Sequence, residues 1–169
     1  MMKLLIFCAL VCSSLICCEG LETITDYLSS PVYPCIQCLC HGVSGCWRRQ
    51  NCARYSVSKE YWMQAGSLVV SAADDPSSDA SYRKCLQNEN CIVGTIIKYT
   101  EQYGEADCNC DEKFDCKDRL AIHLFGNKCE KPSFGHTIAR RFNDCAARVG
   151  VSAMLSSEGD DFCTLPIVH

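Results

Sequence analysis

Cysteine is the residue that most constrains this chain: 17 of its 169 residues are cysteines. A density of about one residue in ten is far above that of ordinary intracellular domains and is typical of domains cross-linked by disulfides. The length suits one domain and not two. The sequence therefore predicts a single disulfide-stapled domain that matures in an oxidising compartment.

Charge and hydrophobic content argue against two other classes of protein. Lys and Arg number 16 against 20 Asp and Glu, which gives a formal net charge of −4. So small an imbalance provides no broad positive surface, and we expect no nucleic-acid partner and no anionic membrane as a target. Hydrophobic residues make up 48% and charged residues 21% of the chain, a balance that argues against global disorder.

The first 20 residues have the parts of a secretory signal peptide. Lys3 supplies the positive start, Leu4 to Cys18 form an apolar run of 15 residues, and Gly20 is a small residue at the expected cleavage point. A membrane anchor is the weaker alternative, because a membrane span needs about 20 apolar residues. We therefore predict cleavage after Gly20, secretion to the extracellular space, and no membrane attachment afterwards.

Four cysteines leave with the signal peptide, so that 13 of the 17 remain in the mature chain. They are Cys35, Cys38, Cys40, Cys46, Cys52, Cys85, Cys91, Cys108, Cys110, Cys116, Cys129, Cys145 and Cys163. Most of them should pair in the secretory route, which predicts about six disulfides. Because 13 is an odd number, at least one thiol is free or pairs between chains; apart from such a link we expect a monomer.

Hydrophobic periodicity predicts a mainly helical domain. One helix is predicted to begin near Pro76. Three others are predicted to end before a glycine: Ile92 to Tyr103 before Gly104, Cys116 to Leu124 before Gly126, and Ile138 to Val149 before Gly150. Strand signals occur only at Arg54–Val57 and Leu68–Val70, enough for one small hairpin. The predicted organisation is a signal peptide at 1–20, an N-terminal leader at 21–34, a domain at 35–148 and a C-terminal tail at 149–169.

One short cluster has the spacing of a metal site. Cys35, Cys38 and Cys40 precede His41, and zinc sites use paired cysteines at such intervals. In an oxidising route, cysteines of this kind are more often disulfide partners on a short helix. We therefore expect disulfides at this cluster, and no metal or other cofactor.

Motifs across residues 35–148 occur in a characteristic order and spacing. They are C-I-Q-C-L-C-H-G-V-S-G-C at 35–46, C-A-R-Y-S-V-S-K-E-Y-W at 52–62, Y-R-K-C at 82–85, A-I-H at 121–123 and N-D-C at 143–145. This series resembles the invertebrate-type lysozyme (i-type lysozyme) or destabilase family. Ala65-Gly66 after Tyr61-Trp62 is similar to the insect-like branch of that family.

The resemblance implies a fold and a family activity. The fold is a small, mainly helical α+β lysozyme-like domain with a minor β-hairpin. The activity is hydrolysis of the β-1,4 link between muramic acid and N-acetylglucosamine in peptidoglycan, in antibacterial defence or bacterial digestion. Some members of the family also have isopeptidase activity. The implied partner is peptidoglycan or another extracellular glycan.

The two carboxylates that such hydrolysis needs do not stand at their family positions. The resemblance places the acid Glu two residues before the Gly of S-G-C, where this chain has Val43. It places the second acid in the loop after that motif, which is cut here to residues 47–51. No Asp or Glu occurs between Asp26 and Glu60. Because losing one general acid costs about 10²–10⁴ in rate, we expect a degenerate, glycan-binding form.

Two alternatives stay open beside that expectation. One is an active muramidase or isopeptidase that uses unrecognised residues, for which Ser44 and His123 are the candidates. Ser44 has a simpler interpretation as a backbone hydrogen-bonding residue at a helix end, and His123 as a buried or ligand-contacting residue. The other alternative is a secreted structural or interaction protein without sugar binding.

Aromatic and basic residues supply candidates for substrate binding. Trp47, Tyr61 and Trp62 have flat faces that suit sugar rings, although core packing explains Tyr61 and Trp62 equally simply. Arg48 and Arg49 could bind anionic wall polymers, or form a solvated basic loop.

The cysteine series also departs from the pattern of the family branch that it resembles. One family cysteine is lost with the shortened loop, and Cys110 and Cys163 are additional. Either these two pair with each other, which leaves the partner of the lost cysteine free, or one of them pairs with that partner. The sequence does not choose between the two arrangements.

Overall fold

A computed structural model of the chain describes residues 23–46, 57–104, 106–108, 112–129 and 134–151. In this part of the chain, six α-helices form the domain: α1 (Tyr33–Ser44), α2 (Lys59–Gln64), α3 (Asp79–Leu86), α4 (Glu89–Glu101), α5 (Cys116–Phe125) and α6 (His136–Val149). Short 3₁₀ turns lie at Tyr27–Ser29 and Gly126–Lys128. The domain is thus mostly helical, as the sequence predicts.

Helices α4, α5 and α6 confirm the periodicity that predicts them. Gly126 and Gly150 follow the ends of α5 and α6 with φ of 58° and 76°, a backbone conformation that glycine adopts at low cost. The helix predicted near Pro76 begins later, at Asp79. The side chain of Ser78 accepts a hydrogen bond from the backbone N–H of Ser81 and so caps this helix.

The core lies between α1, α4, α5 and α6. Ile36 and Leu39 from α1, Ile92 and Ile96 from α4, Leu120 and Ile122 from α5, and Phe142 from α6 are fully buried there. Helix α1 packs closely along α6 because Gly42 has no side chain at the contact. A Cβ at Gly42 would lie 3.3 Å from Cβ of Phe142 and 3.4 Å from the carbonyl oxygen of Ile138.

Disulfides cross-link this helical core. The bridges among the described residues are Cys35–Cys116, Cys38–Cys145, Cys85–Cys91 and Cys108–Cys129. The first two join α1 to α5 and to α6, and Cys46 at the end of α1 is also disulfide-bonded. Cys35 and Cys38 of the zinc-like cluster are therefore half-cystines.

Cys40 is a free cysteine in the middle of this framework. It is 5% exposed. Burial, with a smaller effect of the Glu89 carboxylate, raises the pKa of the Cys40 thiol to about 12. Cys40 is therefore a neutral thiol at physiological pH. Cys110 and Cys163, the two additional cysteines, lie outside the described residues.

The N-terminal segment before α1 is packed onto α4. The side-chain oxygen of Asn90 accepts hydrogen bonds from the backbone N–H groups of Tyr27 (2.7 Å) and Leu28 (3.2 Å). The ring of Tyr27 lies directly over Gly94, where a Cβ would come within 2.4 Å of it. This part of the predicted leader is therefore a fixed part of the domain surface.

Strand structure in the described residues is limited to one isolated parallel bridge between Thr23 and Val69. The predicted strand Leu68–Val70 thus pairs with the N-terminal segment, which Asn90 holds in place. Most of the other predicted strand, Arg54–Val57, lies outside the described residues, as do the predicted signal peptide and nearly all of the tail. No helix in the described ranges is long and apolar enough to cross a membrane.

Candidate functional site

An open groove of about 590 Å³ lies between α2 and the C-terminal ends of α4 and α5. Its lining combines aromatic rings with polar side chains, of which one is a carboxylate. The lining residues are Ser58, Glu60, Tyr61, Gln64, Tyr99, Gln102, Tyr103, His123, Leu124, Phe125, Gly126 and Asn127. Such a mixture of apolar surface and a few polar groups is typical of ligand sites.

Local contacts fix α2 at one wall of the groove. Ser58 caps α2 by accepting a hydrogen bond from the backbone N–H of Tyr61 at 3.1 Å. Trp62 is fully buried, and its Nε1 donates to the carbonyl oxygen of Leu68 at 2.8 Å. Nε2 of Gln102 donates to the carbonyl oxygen of Gln64 at 2.7 Å, which ties α4 to the end of α2. The groove wall is therefore anchored from both sides.

Tyr61, Tyr99 and Tyr103 form a row of phenol rings along the groove, here called the tyrosine row. The Tyr61 and Tyr99 rings are stacked with centroids 3.7 Å apart, and the Tyr99 and Tyr103 rings are tilted with centroids 5.6 Å apart. Tyr61 and Tyr99 are 9% and 7% exposed, while Tyr103 is half-buried. The row thus runs from the protein interior to the groove surface.

His123, in the last turn of α5, lies at the inner end of the tyrosine row. Its Nδ1 is 2.9 Å from the hydroxyl oxygen of Tyr61, and the two rings meet edge to face. His123 is 8% exposed, and burial lowers its pKa to about 4. Burial, followed by the neighbouring Tyr99, raises the pKa of Tyr61. At neutral pH the pair therefore consists of an uncharged imidazole and an uncharged phenol.

Glu60 is the carboxylate among the described residues that line the groove. It is exposed, and its pKa is lowered by a backbone hydrogen bond and by a side-chain hydrogen bond with Ser58. A general acid in glycoside hydrolysis needs the opposite, a carboxyl group whose pKa is raised so that it keeps its proton. Glu60 is therefore ionised at neutral pH and poorly suited to protonate a leaving group.

The sequence candidates near the end of α1 do not line the groove. Val43 is half-buried and packs against the core in the last turn of α1. The hydroxyl of Ser44 donates to the carbonyl oxygen of Cys40 at 2.7 Å and accepts from the backbone N–H of Cys46 at 3.1 Å. Both hydrogen bonds are those of a residue that closes a helix end.

The predicted binding residues divide into three groups. Tyr61 lines the groove, whereas Trp62 is buried in the core with no exposed face. Trp47, Arg48 and Arg49 lie outside the described residues. His123 joins Tyr61 at the groove, as a buried partner of the phenol. The geometry thus brings together Tyr61 and His123 and separates them from Trp62.

Sequence reasoning missed the other members of the tyrosine row and the amide side chains of Gln64, Gln102 and Asn127. Tyr99 and Tyr103 continue the apolar stripe of α4, and periodicity alone therefore predicts them in the core. The sequence does contain a signal for their place at the groove, because both are tyrosines in or just after the last turn of α4. Buried tyrosines need a partner for their hydroxyl group, which favours the edge of a core over its centre.

Comparisons with known proteins relate the chain to two references. The Destabilase family model matches residues 33–145, well over half of the chain. A lysozyme from Ostrea edulis is 29% identical over 143 residues, an alignment that covers 78% of this chain and 88% of that protein. No solved structure matches the chain at a significant level.

Proposed function

The chain belongs to the Destabilase family, and from that premise we propose that it is a secreted glycan-binding protein that no longer hydrolyses peptidoglycan. The related lysozyme supports a role that derives from that of muramidases, with a glycan as the ligand. The loss of hydrolysis and the secretion go beyond what family membership implies.

The loss of both carboxylates carries the proposal. Val43 stands at the position of the family's acid, half-buried against the core, and cannot donate a proton. No carboxylate occurs between Asp26 and Glu60 to replace it. Glu60 itself lies in the groove, yet its lowered pKa keeps it ionised. Two carboxyl groups with different protonation states are the minimum for this chemistry.

The groove supports binding as the function that persists. Phenol rings offer flat apolar faces to the faces of sugar rings. The amides of Gln64, Gln102 and Asn127 offer donors and acceptors to hydroxyl and acetamido groups. A peptidoglycan strand carries both kinds of surface, so the groove is suited to it without any reacting group.

Secretion has separate support. The described residues contain four disulfides, a density that is unusual in reducing compartments. The apolar run from Leu4 to Cys18 has the length of a signal peptide. Assignment to the insect-like branch rests on Ala65-Gly66 and stays a prediction.

Two assays on the mature, oxidised protein test the proposal. We expect the protein to sediment with insoluble peptidoglycan and to cause no loss of turbidity in a suspension of bacterial cell walls. Measurable lysis that disappears in Glu60→Gln would instead identify an active muramidase. Neither lysis nor sedimentation would identify a structural or interaction protein. An active lysozyme in parallel shows that the wall suspension is a competent substrate.

A further inference from the structure

We propose that His123 is a positioning residue of the groove: its neutral imidazole holds the Tyr61 hydroxyl, and through Tyr61 the tyrosine row, in the orientation that binds glycan, so that acidification releases the bound glycan. This inference deepens the proposed function and rests on it. It assigns to His123 a role in binding and in its regulation, and no role in a chemical step.

The contact geometry links the imidazole to the groove surface through a short chain of side chains. The Tyr61 hydroxyl lies 2.9 Å from Nδ1 of His123. Tyr61 in turn stacks on Tyr99 at 3.7 Å, and Tyr99 contacts Tyr103. Tyr61 stacks on Tyr99, and the tilted ring of Tyr103 packs beside Tyr99, so a change in the orientation of Tyr61 alters the packing that supports the half-buried Tyr103 at the groove.

Close packing makes the middle of this row sensitive to displacement. A Cβ added to Gly126 would lie 3.1 Å from the hydroxyl oxygen of Tyr99, so the turn after α5 closes directly against that phenol. The stacked ring of Tyr61 lies on the face of Tyr99. A shift of Tyr61 therefore has to be taken up by Tyr99 and Tyr103.

The surroundings of His123 offer little to stabilise a positive charge. The titratable groups that face the His123–Tyr61 pair are Cys40 from α1, Glu60 from α2, and Tyr99 and Tyr103 from α4. On α5 itself, Arg119 lies one turn earlier and is bound to Thr100 and Glu101. Burial alone accounts for the lowered pKa of His123. Among the described residues, therefore, no carboxylate lies at contact distance to compensate an imidazolium.

Protonation changes the hydrogen bond that holds Tyr61. The neutral imidazole can accept a hydrogen bond from the Tyr61 hydroxyl at Nδ1, whereas an imidazolium is a donor at both ring nitrogens. The direction of the bond then reverses: the Tyr61 oxygen accepts from Nδ1–H and the Tyr61 proton loses its acceptor, which turns the hydroxyl, and the charged ring gains by moving toward water. With a pKa of about 4, this change takes place at acidic pH only.

Binding measurements across acidic pH test the inference. The probe is a soluble tetrasaccharide of alternating N-acetylglucosamine and N-acetylmuramic acid, titrated calorimetrically between pH 6.5 and about pH 3.5. We expect the wild-type affinity to fall by about fourfold between pH 6.5 and about pH 3.5, with the fall beginning near pH 4, because a group with a pKa of about 4 is about three-quarters protonated at pH 3.5. His123→Asn keeps an acceptor near the place of Nδ1 and cannot titrate, so its affinity should stay flat over that range. An unchanged wild-type profile in His123→Asn would overturn the inference.

Two variants separate other sources of pH dependence. His136→Asn removes an exposed histidine of α6 that does not line the groove, and it should keep the wild-type profile. Glu60→Gln removes the carboxylate of the groove, and the fall in affinity should persist in it. If the fall disappears in Glu60→Gln and not in His123→Asn, the pH dependence belongs to Glu60 and the role of His123 is wrong.

A measurement without glycan distinguishes failure of this inference from failure of the proposed function. The ring resonances of His123 and Tyr61 can be followed by NMR as the pH is lowered. We expect the Tyr61 resonances to shift with the same midpoint as those of His123. Tyr61→Phe, which keeps the ring and removes the hydroxyl, should break this coupling. Tyr61 resonances that do not follow the titration of His123 would overturn the inference even if glycan binds. Absence of binding with coupled resonances would overturn the proposed function, and with it the release of glycan, but not the coupling of His123 to Tyr61.

Discussion

The disulfide framework and the groove of this domain are held together by different means. Around α1, covalent bridges to Cys116 and Cys145 and fully buried aliphatic residues fix the helices. Around the groove, hydrogen bonds and stacked phenols fix α2 against α4 and α5. The difference shows that the framework does not depend on the chemistry of the groove. On the proposed function, the loss of the catalytic acids therefore leaves the forces that hold the framework together unchanged.

Breaking a bridge of the framework should have the largest effect. The double variant Cys38→Ala/Cys145→Ala removes a bridge with a sequence separation of 107. Because Cys35–Cys116 stays closed, the loop that opens has only about 30 residues, and the free energy of unfolding should fall by about 4 kcal/mol. Removing the Cys85–Cys91 bridge, with a separation of 6, should cost about 2 kcal/mol. Urea unfolding of both variants measures the difference. Equal losses would mean that the bridges do not act mainly by restricting the unfolded chain.

The framework is also the part that the sequence predicts best. The number of cysteines predicts that disulfides are present, and the glycines after α5 and α6 predict where these helices end. The pairing itself, such as Cys38 with Cys145, becomes visible only in the folded chain. The groove depends on contacts between residues far apart in the chain, such as Tyr61 with Tyr99 and His123. Helical periodicity identifies the apolar side of a helix and does not show where that side reaches the surface.

Acid should lower the free energy of unfolding of the domain through His123, a residue of the groove. The unfolded chain binds a proton at His123 below its ordinary pKa of 6.5, whereas the folded chain does so only near pH 4. The unfolded state therefore holds more protons in this window, so stability falls as the pH drops from 6.5 to 4. The expected loss is roughly 3 kcal/mol, complete near pH 4 and absent above 6.5.

Urea unfolding at several pH values measures this loss. His123→Asn should reduce the slope of stability against pH between 6.5 and 4, while His136→Asn should keep the wild-type slope. A slope that is the same in all three proteins would assign the acid sensitivity to the carboxylates.

Removing the Tyr61 hydroxyl should change the groove and leave the disulfide framework intact. Tyr61→Phe keeps the stacked ring and deletes the hydrogen bond to His123, which should lower the free energy of unfolding by about 1 kcal/mol. Its affinity for the tetrasaccharide near neutral pH should fall toward the value that wild type shows under acid. The measurements are urea unfolding and calorimetric titration. Full affinity in Tyr61→Phe would show that the hydroxyl has no part in positioning the tyrosine row.

Introducing one carboxylate at Val43 should have the smallest effect, because we expect no cell-wall lysis to result from it. Val43→Glu places a carboxylate where the proposal puts the family's acid, yet residues 47–51 contain no second carboxylate. Turbidity of a cell-wall suspension should stay constant with this variant, as with wild type. Lysis by Val43→Glu would locate a working second acid elsewhere and would tie the end of α1 to catalysis.

The buried thiol of Cys40 has a consequence for how the protein matures. A free thiolate can attack neighbouring disulfides and exchange them, and Cys40 lies between the half-cystines Cys38 and Cys46 in α1 and the residues just after it. Once the core has closed, a pKa of about 12 leaves almost no thiolate, and burial denies access to other sulfurs. Completion of folding therefore ends disulfide exchange by Cys40, and the bridges of the described residues are protected against this thiol.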